Sequence, residues 1–226
     1  MGRIRLLILS VACALLAAAD GGVVLATTRV ERGFSTAVSE RLMDAYSKRF
    51  GPEARQRLLA WKRYAAQRGS GTLPEKELLA DVNRTLNRIR FLDDSEHWGK
   101  EDYWATPAES VGSNGGDCED FAIAKYFLLK ELGVPIAKLR MTYVKATKLN
   151  QAHMVLAYYP RPEAEPLVLD NLEDAVRPAS QRPDLIPVYS FNDEEVWIES
   201  RGRSGSPSQI RNWNSLLERL ERELHT

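Results

Sequence analysis

The sequence predicts an α+β fold, in which helices fill the first half of the chain and an antiparallel sheet follows. Two observations support this prediction. Up to Leu132, apolar residues recur at intervals of three and four, the period of helices that bury one face. Beyond Gly133-Val134-Pro135, apolar and polar residues alternate in short runs between turn residues, which is typical of half-buried strands.

Three helices are predicted before the middle of the chain. Gly51-Pro52 interrupts the apolar pattern between Ser35 and Tyr64, so two short helices are expected there. The segment from Asp93 to Gly116 has no period and predicts a long structured loop. Between these regions a third helix opens at Leu73-Pro74 and runs to about Phe91, with the apolar stripe Leu78, Leu79, Val82, Leu86 and Ile89.

A central, buried helix is predicted to begin at Cys118 and to stop before Gly133, because its apolar residues nearly encircle it. This helix should pack on the antiparallel sheet. The sheet strands are predicted at residues 139–144, 153–159, 167–170 and 195–198. A last amphipathic helix is indicated by Ile210, Trp213, Leu216, Leu217 and Leu220.

Composition limits the classes of partner. The chain has 226 residues, of which 44% are hydrophobic, so one globular domain with extensions is expected. Its 31 basic and 31 acidic residues balance and are interspersed. No basic face is available to neutralise a phosphate backbone, and the sequence therefore argues against a nucleic-acid partner.

The N-terminus has the pattern of a secretory signal peptide. Basic residues precede an apolar run from Leu6 to Ala19. Asp20-Gly21-Gly22 ends this run before it reaches the roughly 20 residues that a helix needs to cross a bilayer. We expect residues 1–26 to form the signal peptide, with cleavage after Ala19 or Ala26. A retained membrane anchor is the alternative.

Cys118 is a candidate nucleophile. The other cysteine, Cys13, lies inside the leader, so the mature chain would have a single thiol and no disulfide partner. Cys118 should occupy the first turn of its helix, where the helix dipole favours a thiolate and Asp117 can cap the amide groups. A buried structural cysteine is the alternative.

A histidine and an aspartate on neighbouring strands could complete a catalytic triad. His153 opens a predicted strand, whereas His97 lies in the loop and His225 at the terminus. Asp170 ends the next strand, where it could hold the imidazole in one tautomer. A structural histidine and a turn-forming aspartate are the alternatives.

The carboxylates around the thiol favour a metal ion. Asp117, Glu119 and Asp120 would together raise the pKa of Cys118 and oppose the helix dipole. A hard cation would relieve this conflict, and calcium, which prefers oxygen ligands, is the natural candidate. The alternative is an ordinary acidic first turn.

The order of these residues resembles the transglutaminase-like branch of papain-fold enzymes. More closely, the sequence is similar to the bacterial transglutaminase-like cysteine peptidases of the LapG type, which are periplasmic adhesin proteases. The similarity runs from about Trp98 to Ile198. It is carried by the segments Tyr103-Trp104-Ala105-Thr106-Pro107-Ala108-Glu109, Gly115-Gly116-Asp117-Cys118-Glu119-Asp120-Phe121-Ala122, Ala152-His153-Met154-Val155 and Val168-Leu169-Asp170-Asn171.

This resemblance implies a papain-like or transglutaminase-like peptidase domain over residues 30–200. Residues 201–226 lie outside the similarity, and their own pattern predicts a polar linker and a C-terminal amphipathic helix. It implies a periplasmic, calcium-dependent cysteine protease that cleaves a large repeat-rich adhesin near its N-terminus and so releases biofilm cells. It also implies control by an inner-membrane receptor that senses cyclic di-GMP, and ligation of calcium by the acids that flank Cys118.

Two other functions fit the same residues. The triad could transfer an acyl group to an amine, as a transglutaminase or amidase acting on cell-envelope proteins or peptides does. The chain could also be a non-catalytic, calcium-binding adaptor, although a complete nucleophile, base and orienting acid argue against this reading.

Overall fold

The computed structural model describes residues 33, 35, 38–71, 73–199 and 202–226. The predicted signal peptide, residues 1–26, lies outside the described residues. Among the helices that the structure describes, none is both long enough and apolar enough to cross a bilayer. The α+β fold class is confirmed, with helices first and an antiparallel sheet after them.

From residue 38 to the middle of the chain, the described residues form three long helices: α1 (Glu40–Phe50), α2 (Glu53–Gly69) and α3 (Glu75–Leu86). The side chain of Ser39 caps α1 by accepting a hydrogen bond from the backbone amide of Leu42. As predicted, Gly51-Pro52 separates α1 from α2. Each helix buries its apolar stripe in a common core, with Leu42, Met43, Leu58, Leu79 and Val82 at most 4% exposed.

The prediction that α3 runs to about Phe91 was wrong. The helix ends at Leu86, because the following residues find partners elsewhere in the fold. Asn87 donates its side-chain amide to the backbone oxygen of Asp170, and Arg90–Phe91 forms a short strand, β1. This strand pairs in parallel with Gly115–Gly116, β2. A tertiary contact, which local periodicity does not reveal, therefore sets the end of the helix.

The segment predicted as a loop, Asp93 to Gly116, also contains two helices: α4 (Asp94–His97) and α5 (Pro107–Ser113). Thr106 and Glu109 form a reciprocal capping box at the start of α5, where Pro107 occupies the first turn. The sequence does carry this signal, but the short helix is too small to show an apolar period.

The central helix α6 (Cys118–Glu131) confirms the prediction of a buried helix. Ten consecutive residues from Asp120 to Leu129 are buried. Helices α3 and α5 and the strands β3 (Leu139–Ala146) and β4 (Gln151–Tyr158) all pack against α6. The helix therefore places Cys118 at one end of the core.

The strands beyond β4 are β5 (Leu167–Leu169), β6 (Arg177–Pro178), β7 (Leu185–Phe191), β8 (Val196–Ile198) and β9 (Gly202–Gly205). Within the described residues, the main sheet has seven antiparallel strands in the order β6-β5-β4-β3-β7-β8-β9. Sequence analysis missed β7, which contains Pro187. This proline pairs with Val144 next to a register shift in β3, where a missing N–H is tolerated.

The C-terminal residues pack with the rest of the fold. The segment predicted as a polar linker contains β9, which pairs with β8 at the edge of the sheet. The predicted amphipathic helix is present as α7 (Arg211–Leu224). Trp213 of α7 is 1% exposed and stacks on Phe127 of α6, with the ring centroids 5.7 Å apart. The last helix therefore completes the core instead of lying apart from it.

Candidate active site

A cavity of about 620 Å³ opens where the N-terminus of α6 meets β4. Cys118 and His153 both line this cavity, so the structure brings two of the predicted catalytic residues together. Trp104 also lines it and stacks on Phe191 beneath, with 5.8 Å between ring centroids. The remaining walls come from acidic, aromatic and apolar side chains, which include Phe91, Asp93, Asp102, Glu119, Tyr143, Leu149, Leu172, Tyr189 and Ile210.

Cys118 is the first residue of α6 and is partly buried. Its Sγ lies 3.0 Å from Oε2 of Glu119. Burial and the neighbouring Glu119 carboxylate raise the pKa of the Cys118 thiol above its usual range, with Asp117 contributing in the same direction. Burial and the adjacent carboxylates therefore oppose the lowering of this pKa that the helix dipole was expected to cause.

Asp117 stands at the N-cap position of α6, but its side chain makes no capping hydrogen bond. The expectation that Asp117 caps the helix amides was therefore wrong. Its Oδ1 is buried and has no hydrogen-bond partner among the described residues. A carboxylate oxygen buried in this way indicates a task other than capping.

His153 and Asp170 form a buried pair. Nε2 of His153 lies 2.8 Å from Oδ1 of Asp170, and the two residues are 3% and 1% exposed. Burial tends to raise the pKa of Asp170, but the hydrogen bond and charge of His153 and the Leu172 amide lower it to about 2. Because an ionised carboxylate can only accept, Nε2 must carry the proton, which leaves the Nδ1 lone pair as the basic site.

The alternation of β4 and β5 places the pair on one face of the sheet. His153 pairs across the strands with Val144, and Val144 packs with Val155 and Val168 in a small apolar cluster. Asp170 follows β5 two residues after Val168 and so lies on the same face. Within the described part of the chain, the hydrogen bond of the Cys118 thiol goes to Glu119, and no bond joins it directly to His153.

A second feature of the site is a cluster of three aspartates, Asp94, Asp117 and Asp120. One carboxylate oxygen from each lies within 4.8 Å of the others. Oδ1 of Asp94, Oδ1 of Asp117 and Oδ2 of Asp120 are all buried without a hydrogen-bond partner among the described residues. Backbone amides bind the other oxygens of two of these aspartates: Tyr103 donates to Asp94 Oδ2, and Ala105 donates to Asp120 Oδ1 at 2.7 Å. Three clustered carboxylates, each with an unpaired oxygen, are the kind of ligand set that a divalent cation would bind.

The electrostatics of the cluster point the same way. Burial, followed by neighbouring carboxylates, raises the pKa of Asp117 to about 10 and that of Asp120 well above its usual value. Burial raises the pKa of Asp94 to about 6. Repulsion among these groups disappears if a cation neutralises them, so the donor set fits calcium. Glu119 is grouped with Asp94 and Asp102 at the edge of the same cluster.

Sequence reasoning named Asp117, Glu119 and Asp120 as candidate ligands but missed Asp94. Asp94 begins the short helix α4, more than 20 residues before Asp117, and no spacing in the sequence connects the two. Gly116 gives the Asp120 side chain room, because a Cβ atom at this position would lie 2.6 Å from Oδ2 of Asp120. A glycine is therefore required beside the acid cluster.

The fold and the site define a class of protein, a thiol-dependent enzyme with a transglutaminase-like fold. Comparisons with a protein-family model and with solved structures define the class more narrowly. The family model described as bacterial transglutaminase-like cysteine proteinase matches residues 62–204. The chain belongs to this family and is a cysteine protease of the LapG type. No curated protein sequence matches the chain significantly.

Solved structures of LapG from Legionella pneumophila resemble the chain. One has 41% sequence identity and a TM-score of 0.70, and the match covers 80% of this chain and 96% of that protein. A calcium-bound form has 41% identity and a TM-score of 0.67 over 79% of this chain and 98% of LapG. An EGTA-treated form has 40% identity and a TM-score of 0.70 over 80% and 96%.

Proposed function

We propose that the chain is a calcium-dependent endopeptidase in which Cys118, His153 and Asp170 form the catalytic triad. The observation that carries this proposal is the buried His153–Asp170 pair, which ends at the same cavity as the only thiol of the described residues. An ionised aspartate that fixes the tautomer of a histidine beside a cysteine is the arrangement required for nucleophilic acyl transfer.

The residues take distinct roles in this reaction. Cys118 Sγ attacks the scissile carbonyl carbon, and His153 Nδ1 takes the thiol proton and passes it to the leaving amine. Asp170 keeps Nε2 protonated and stabilises the imidazolium. The backbone amides at the start of α6 are placed to stabilise the oxyanion. Water then hydrolyses the thioester, again with His153 as the base.

The calcium ion would be held by Asp94, Asp117 and Asp120, with Glu119 beside them. Its chemical contribution would be electrostatic, since its charge would offset the carboxylates that otherwise raise the pKa of Cys118. The calcium-bound structure of Legionella LapG supports the choice of calcium as the metal.

We further propose the biological setting implied by the LapG-type family. The leader pattern supports export to the periplasm, and a large repeat-rich surface adhesin, cut near its N-terminus, is the proposed substrate. Cleavage would release cells from a biofilm. An inner-membrane receptor that senses cyclic di-GMP is the proposed regulatory partner.

The test is cleavage of an N-terminal fragment of a large adhesin from the same genome, in buffer containing calcium. Cys118→Ala and His153→Ala should each lower the rate by at least about a thousandfold, because nucleophile and base act together. Asp170→Asn should keep a small residual activity. His97→Ala is the matched control, since His97 contacts Ser113 at 2.9 Å and does not line the cavity.

The products distinguish peptidase from acyl-transfer activity. A new α-amino terminus in the fragment indicates proteolysis, whereas ammonia release with incorporation of an added amine indicates acyl transfer. Wild-type rates in Cys118→Ala or His153→Ala would refute the mechanism. If alkylation of Cys118 leaves the biological function intact, the adaptor alternative becomes the better explanation.

A further inference from the structure

The two oxygens of the Asp170 carboxylate have different partners. Oδ1 accepts hydrogen bonds from His153 at 2.8 Å and from the Leu172 backbone amide at 3.1 Å. Oδ2 lies 2.8 Å from Nη1 of Arg182, in an ion pair that lacks the alignment of a hydrogen bond. Arg182 therefore neutralises the side of the carboxylate that faces away from the histidine.

Arg182 is itself held in a fixed position. Its residue is 9% exposed, and it follows a single 3₁₀ turn, Ala179–Gln181, between β6 and β7. Asp184 accepts hydrogen bonds from Nε at 3.2 Å and from Nη2 at 3.0 Å. This forked contact uses the planar geometry of guanidinium and leaves Nη1 directed at Asp170.

Because Asp170 is buried, its contact with Arg182 affects the protonation and orientation of its carboxylate. Asp170 is 1% exposed, and a buried carboxylate without a counter-charge tends to take up a proton or to rotate toward another donor. Either change would free Nε2 of His153 to lose its proton, and the wrong tautomer would then face Cys118. Arg182 does not line the cavity that contains Cys118, so it cannot reach a substrate there.

We propose that Arg182 is a positioning residue of the peptidase, which acts through Asp170 to hold His153 in its reactive tautomer and orientation. This inference rests on the triad proposed above. Asp184 also contributes to this positioning, because it holds the guanidinium of Arg182 in place. The chain of contacts thus runs from Asp184 through Arg182 and Asp170 to His153.

The experiment measures the rate at which iodoacetamide alkylates Cys118 in the calcium-loaded protein, read by mass spectrometry of the peptide that contains Cys118. This readout needs no substrate. Arg182→Gln should slow alkylation about tenfold, because a histidine that Asp170 no longer orients takes the thiol proton less often. Arg182→Lys should recover part of the rate, because it returns the charge without the fork. Arg203→Gln, at an exposed arginine on β9, is the matched control and should react like wild type.

A double-mutant cycle separates positioning from a general structural role. In an Asp170→Asn background, Arg182→Gln should change the alkylation rate less than about twofold, because the two residues act through one another. Asp184→Asn should give a smaller loss than Arg182→Gln. Thermal unfolding of every variant checks that the fold is kept.

The outcomes are distinct. If Arg182→Gln reacts like wild type, or if its effect persists in full when Asp170 is already Asn, Arg182 has no positioning role. If Asp170→Asn alone leaves both alkylation and peptide cleavage at wild-type levels, the proposed triad fails, and the role of Arg182 fails with it. If Arg182→Gln does not fold, the Lys and Asp184→Asn variants decide the question in the same cycle.

Discussion

Lys125 gives a quantitative test of how the core of the protein is built. It lies in α6, two turns after Cys118, and is 1% exposed. Burial lowers its pKa from 10.5 to about 7, although Asp170 and Asp174 oppose that shift. A lysine that holds its proton less tightly in the folded than in the unfolded state makes stability depend on pH.

The sign and size of this dependence follow from the shift. Between pH 7 and pH 10 the unfolded chain carries more protons at Lys125, so the folded state gains stability as the pH rises. Each pKa unit corresponds to about 1.4 kcal/mol. The free energy of unfolding of wild type should therefore rise by about 2 kcal/mol relative to that of Lys125→Met between pH 7 and pH 9. Methionine fills a similar volume and does not titrate.

The assay is guanidinium chloride unfolding, followed by tryptophan fluorescence, of wild type and Lys125→Met at both pH values and at fixed calcium. Comparing the two proteins cancels every other titrating group. Lys48→Met serves as the control, because Lys48 is an exposed lysine on α1 and should show no such dependence. A wild-type minus Lys125→Met difference that is equal at pH 7 and pH 9 would falsify the assignment of a titrating, buried Lys125.

Three further predictions concern the metal, the last helix and the leader. Asp94→Asn should weaken calcium binding about tenfold or more in isothermal titration by removing one charged ligand, while the exposed Asp44→Asn should bind like wild type; equal affinities would remove Asp94 from the site. Burial raises the pKa of Glu223 to about 8, so the folded protein holds this proton more tightly than the unfolded chain does. The free energy of unfolding of wild type should therefore fall by about 3 kcal/mol relative to that of Glu223→Gln between pH 5 and pH 8, measured by denaturant unfolding. The same pH dependence in both proteins would contradict this prediction. N-terminal sequencing of the exported protein should find a start just after Ala19 or Ala26, and recovery of the intact leader in membranes would favour the anchor.

The sequence carried the parts of the fold that depend on regular burial. The apolar ring of α6 and the alternation in β3 and β4 were sufficient to predict a helix packed on a sheet. Short elements escaped because their partners lie far away in the chain. β7 was not predicted because it contains Pro187, which is uncommon inside a strand. β1 was not predicted because it forms only by pairing with Gly115–Gly116.

The residues of the candidate site also fall into those that the sequence could identify and those that it could not. Cys118, His153 and Asp170 could be named from residue type, order and strand position. Asp94 and Arg182 could not, since each acts only through a contact across the fold, with Asp117 or with Asp170. The raised pKa of the thiol was predicted from the neighbouring acids, but the share that burial contributes could not be, because the sequence does not show how deeply Cys118 lies.

The ends of the main sheet limit how the protein can associate with extended chains. One edge strand has two residues and includes Pro178, which lacks an N–H, and the other is the exposed run Gly202–Gly205. Neither edge offers a ladder long enough for strand addition. Self-assembly into fibrils through these edges is therefore disfavoured.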